Sequence, residues 1–77
     1  MFSALNHPIR RRIIELLARE HMQYTHILEE LDLSTGKLNF HLKKLEGLIT
    51  KNEKGAYRLT EEGLRAFSIL RQVPRKK

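Results

Sequence analysis

The sequence predicts a mainly helical domain that carries one small β-hairpin. Three observations predict it. Apolar residues recur at helical spacing in four separate stretches. Residues 48–59 instead show two short runs around Asn52-Glu53-Lys54-Gly55, a turn sequence. The leucines at positions 38, 42 and 45 also share one face of a segment whose other faces carry lysine, asparagine and phenylalanine.

Pro8 suits the first turn of a helix, with Asn6 or His7 as its cap. Ile9, Ile13, Leu16 and Leu17 then follow helical spacing as far as Arg19 or Glu20, with Ile14 off the stripe and free to meet a partner chain. Met22-Gln23-Tyr24 reads as a short strand. Thr25 suits a cap for a second helix, His26 to Leu31. Asp32-Leu33-Ser34 makes a turn in which Leu33 plugs the corner and Ser34 caps a third helix, about residues 34–46.

After Gly47 the period changes. Leu48–Lys51 and Ala56–Leu59 read as strands, and Gly55 suits a positive φ in the turn between them. Thr60 caps a last helix, with Glu61 and Glu62 at its positive end. Leu64, Ala66, Phe67, Ile69, Leu70 and Val73 occupy more than one face of it before Pro74 stops it. Leu64 is assigned to the core, and Ile69 and Val73 fall on the opposite side. The order is helix, short strand, helix, helix, hairpin, helix, which is a winged helix-turn-helix.

Seventy-seven residues allow a single domain, 1–77, with the basic tail 74–77 expected to be disordered. So small a domain is marginally stable alone, and dimerisation is a common remedy. Fifteen Lys and Arg against nine Asp and Glu give a formal charge of +6, which points to an anionic partner, nucleic acid before membrane. The charge is segregated. Residues 20–32 hold acids and no Lys or Arg, whereas residues 34–58 hold six basic and two acidic residues. Without cysteine there is no disulfide and no thiolate metal site. No apolar run is long enough to span a membrane, and the first residues do not read as a signal peptide, so a cytoplasmic protein is expected.

Three stretches carry a family resemblance. Leu33 to Ile49 is similar to the pattern Leu-Ser-x-x-x-(Val/Leu)-x-x-His-Leu-Lys-x-Leu, ending near Gly-Leu-(Val/Ile), of ArsR- and MarR-type transcriptional regulators. Leu5-Asn6-His7-Pro8-Ile9-Arg10-Arg11-Arg12-Ile13 resembles the opening of their first helix. Leu59-Thr60-Glu61-Glu62-Gly63 resembles the Leu-Thr-x-x-Gly that leaves their wing. The resemblance covers about residues 5–67. It bears on fold and DNA binding, and not on target gene or effector.

The resemblance implies that the third helix enters the major groove, presenting Thr35, Gly36, Lys37, Asn39, Phe40, Lys43 and Lys44. Lys37 and Lys43 fit phosphates or guanine acceptors. Asn39 fits adenine or, equally, the DNA backbone. Phe40 fits a thymine methyl, or else a core or dimer contact. Ser34 and Thr35 stand at a helix N-terminus that favours a phosphate. His41 is the histidine of the family pattern, expected to pack or to touch the DNA backbone. In the wing, Lys51, Lys54 and Arg58 fit phosphates or the minor groove, or simply keep an edge strand soluble.

His7, His21, His26 and His41 do not form a convincing ligand set, so no metal or other cofactor is expected. No nucleophile has a plausible base and no phosphate loop appears, so no enzyme is expected. The expectation is a homodimeric transcriptional regulator that binds double-stranded DNA, with Ile14, Ala66, Ile69, Leu70 and Val73 at the dimer interface. The alternative is a winged-helix module that binds protein within a larger complex.

Overall fold

The computed structural model describes residues 5–72. Its elements are α1 (Pro8–Arg19), α2 (Tyr24–Leu31), α3 (Thr35–Lys44), β1 (Ile49–Lys51), β2 (Tyr57–Leu59) and α4 (Glu61–Gln72). Four helices and one antiparallel hairpin make a winged helix-turn-helix. No helix among the described residues is long and apolar enough to cross a membrane.

α1 is the centre of the packing and meets α3, β2 and α4. Pro8 stands in its first turn, where a missing N–H costs nothing. His7 is the cap: its Nδ1 accepts the Ile9 N–H at 3.1 Å. Because α1 is covered from several sides it buries a wide arc, including Ile13, Ile14, Leu16 and Leu17. This corrects the expectation for Ile14. It lies off the main stripe but has no exposed surface, so it belongs to the core and not to a partner chain.

The strand expected at residues 22–24 contracts to one residue. Met22 exchanges both backbone hydrogen bonds with Tyr57, at 3.1 and 2.7 Å, and the chain turns into α2 at once. α2 therefore begins at Tyr24, ahead of the expected start at His26. Its cap is Gln23, which makes no side-chain bond, and Thr25 lies inside the helix. Asp32 ends α2 in the left-handed region (φ 53°), a conformation that aspartate tolerates better than most residues. Leu33 is half-buried against the core, as a corner plug should be.

The Ser34 hydroxyl caps α3 by accepting the Lys37 N–H at 3.2 Å. Leu38, Leu42 and Leu45 are buried together, as their spacing predicts. β1 pairs with β2 in the register Ile49–Leu59, Thr50–Arg58, Lys51–Tyr57. The Asn52 side-chain oxygen organises the turn by accepting the N–H groups of Lys54 and Ala56, and Gly55 takes the positive φ of 83°.

Thr60 holds the start of α4. Its hydroxyl accepts the Gly63 N–H and donates to the Gly47 carbonyl at 2.7 Å. α4 crosses the hairpin so closely at Gly63 that any Cβ there would collide with the Leu48 carbonyl oxygen. Gly63 and Ala66 are its buried residues. Two expectations for this helix are corrected. Ala66 is fully buried, so it is core and not dimer interface, and Leu64, assigned to the core, is 53% exposed. Leu70 is half-buried and Ile69 is exposed. Val73, Pro74 and the basic tail lie outside the described residues.

Candidate nucleic-acid interface

The candidate surface consists of the exposed side of α3 and the hairpin that follows it in the chain. With Leu38, His41, Leu42 and Leu45 turned inward, helical geometry leaves Thr35, Gly36, Lys37, Asn39, Phe40, Lys43 and Lys44 exposed, along with the Ser34 cap. The first-turn amides lack intrahelical partners, which leaves donors beside the exposed Thr35 and Gly36. No acidic residue occurs in α3.

Two side chains on this face are positioned by neighbours. Phe40 is 54% exposed, meets the edge of the His41 ring at a centroid distance of 5.3 Å, and carries the Lys44 ammonium 5.5 Å from its own centroid. It is an aromatic platform with a cation beside it, not a core residue. Asn39 is oriented by α2: the Tyr24 hydroxyl donates to its side-chain oxygen at 2.8 Å. With that oxygen engaged, the amide N–H groups are the donors left for a ligand.

His41 stands apart from the rest of the set. It is only 4% exposed, its ring lies 4.5 Å from that of His7, and its Nδ1 has no hydrogen-bond partner among the described residues. Burial, then the neighbouring His7 and the cations Arg10 and Lys37, hold its pKa below the usual value of 6.5. The reading of His41 as a DNA-touching residue is therefore corrected. It is a neutral packing residue beneath the face, excluded from solvent because its position falls on the leucine side of α3.

On the hairpin, Lys51, Lys54 and Arg58 are exposed. The Lys51 ammonium lies 5.3 Å from the Tyr57 ring centroid, and Arg58 donates to the Leu59 carbonyl at 3.0 Å. Among the described residues, the Arg65–Glu62 ion pair on α4 and the His26–Glu30 contact on α2 involve none of the six cations on α3 and the hairpin. Their charge is left to the surface.

Sequence reasoning missed Tyr24 and His21. The signal for Tyr24 was its spacing from Leu28 and Leu31, which puts it on the side of α2 that packs toward the core. His21 carried no local signal, since its partner Asn52 is remote in the chain. The four histidines go to separate tasks: His7 caps α1, His41 packs on His7, His26 lies 3.7 Å from Glu30, and His21 meets Asn52 at 2.9 Å.

Over residues 1–70 the sequence matches the family described as Domain of unknown function (DUF7347). A search of curated proteins found no match.

Proposed function

The chain belongs to the DUF7347 family, and we propose that it binds duplex DNA in a sequence-specific manner as a transcriptional regulator in the cytoplasm. α3 lies in the major groove and the hairpin serves as a short wing on the backbone or minor groove. The observation that carries this reading is the set of six exposed cations on α3 and the hairpin, Lys37, Lys43, Lys44, Lys51, Lys54 and Arg58, which take no part in the ion pairs seen among the described residues, with Phe40 and Asn39 exposed on the same helix. A protein's own surface gains little from gathering like charges, whereas a polyanion gains from every one of them.

Lys37, Lys43 and the wing cations meet phosphates. Asn39 and Phe40 meet base edges. Such regulators act as symmetric pairs, and we place the pairing on α4 through Ile69 with help from Leu70. The similarity of the sequence to ArsR- and MarR-type regulators supports this assignment.

The test is selection of bound sites from random duplex DNA, followed by titration of fluorescent duplex at several salt concentrations. Recovery of a defined motif, with affinity falling steeply as salt rises, is the expected result. Absence of binding at low salt, or an affinity that ignores salt, overturns it.

A further inference from the structure

Between the wing and the stretch that joins α1 to α2 lies a notch of about 450 Å³, lined by His21, Lys51, Asn52, Glu53, Lys54 and Arg58. Three of these residues are cations and one is a carboxylate. His21 is not part of the wing, yet three contacts fix it there. Its neighbour Met22 is bonded through the backbone to Tyr57, and Gln23 donates through its amide to the Lys54 carbonyl at 3.4 Å. His21 itself meets the Asn52 side-chain nitrogen at 2.9 Å.

That last contact determines which ring nitrogen bears the proton. The Asn52 oxygen is already committed to the N–H groups of Lys54, at 2.9 Å, and Ala56, at 3.0 Å. The group facing His21 is therefore the amide NH₂, which can only donate. The His21 Nδ1 accepts, so it carries the lone pair, and the proton of the neutral ring sits on Nε2. The ring is oriented by a turn that the wing needs for its own geometry, and its remaining polar group is an N–H donor.

An N–H donor held beside three cations suits an anion with several acceptor oxygens. Resting on the DNA-binding reading above, we propose that His21 is a phosphate-contacting residue. The notch holds one backbone phosphate of the bound duplex, with the His21 Nε2–H donating to it while Lys51, Lys54 and Arg58 supply charge. The wing then grips the backbone through a residue brought to it from before α2.

The test combines imidazole ¹⁵N–¹H correlation spectra with duplex titrations of the wild type, His21→Ala and Lys54→Ala. The free protein should show His21 as the Nε2–H tautomer, and saturating duplex should move the Nε2 resonance. His21→Ala should weaken binding about fivefold, one hydrogen bond's worth, without changing the salt slope, because the ring is neutral. Lys54→Ala should lower the slope by about one, because it removes a released counterion. Circular dichroism confirms that both surface variants fold. An Nδ1–H tautomer, an Nε2 resonance unmoved by saturating duplex, or equal affinity of His21→Ala and the wild type each overturns the notch while leaving DNA binding intact. If the wild type binds no duplex, pyrophosphate replaces it. A shift at Nε2 then retains the notch as an anion site and rejects the DNA reading, and no shift rejects both.

Discussion

The hydroxyl of Tyr24 and the side-chain oxygen of Asn39 lie 2.8 Å apart, so the first residue of α2 orients a side chain in the middle of α3. The bond is exposed, and its direct contribution to stability is small. Its consequence is directional: it turns the amide of Asn39 outward as a donor, which suits the acceptors of guanine better than the paired donor and acceptor of adenine.

Tyr24→Phe should therefore change base preference more than stability. The expected loss of stability is under about 1 kcal/mol, the net worth of an exposed hydrogen bond. Freed from the hydroxyl, the Asn39 amide can turn and use both its groups on adenine. Competition between duplexes that differ at one base pair checks this, and an unchanged preference means that Asn39 does not read a base.

His41 makes stability depend on pH with a definite sign. Its folded pKa lies below 6.5 because burial, the neighbouring His7 ring and the cations Arg10 and Lys37 disfavour the protonated ring. The unfolded chain takes up the proton first as the pH falls. Stability from the neutral ring is thus fully present above pH 6.5 and is lost progressively as the pH falls from there through the lowered folded value. Urea unfolding from pH 8 to pH 5 should show this loss in the wild type and a shallower one in His41→Leu. Parallel curves would mean that His41 titrates alike in both states.

How much was legible in the sequence follows from how local each signal is. The leucine stripe of α3, the Pro8 start, the Ser34 and Thr60 caps and the Asn52–Gly55 turn were all readable, because a few neighbouring residues determine them. Where distant parts of the chain decide, the reading failed. Ile14 is buried because α1 is enclosed from several sides. Met22 spends its backbone bonds on Tyr57, which shortens the strand and starts α2 early. His41 belongs to the family pattern, but pattern membership does not tell a packing histidine from a contacting one, and the neighbouring ring of His7 is remote in sequence. Leu64 and Ala66 differ in burial because the hairpin crosses α4 at Gly63, a contact no periodicity encodes.

Two glycines should respond oppositely to the same substitution. Gly63→Ala drives a methyl into the Leu48 carbonyl, which is backbone and cannot step aside, so a loss of about 2 kcal/mol or more is expected. Gly36 has open space around its Cβ position and lies in the first turn of α3. Gly36→Ala should raise stability by about 0.5 kcal/mol through helix propensity. It should also weaken DNA binding, since the new methyl stands on the face proposed to approach the duplex. Denaturation and duplex titration of the two variants check both halves, and unchanged affinity in Gly36→Ala would remove that turn from the interface.

The final prediction separates the two exposed apolar residues of α4. Leu64 and Ile69 are five positions apart, which at 100° per residue puts them about 140° apart around the axis, one on each edge of the buried Gly63–Ala66 side. A single seam between two copies does not cover both. Half-buried Leu70 falls within the Gly63–Ala66 side, about 100° from Ile69, and half-buried Phe67 lies about 60° from Leu64, so each edge carries one exposed apolar residue. The dimer proposed above uses the Ile69 edge. Ile69→Glu should give a folded monomer with weaker operator binding, because two linked half-sites bind more tightly than one. Leu64→Glu should leave association unchanged. Sedimentation with circular dichroism decides. A wild type that is monomeric at micromolar concentration rejects the dimer, and dissociation by Leu64→Glu alone places the seam on the other edge. Unfolding by Ile69→Glu, despite the 46% exposure of that residue, would show that it packs in the core.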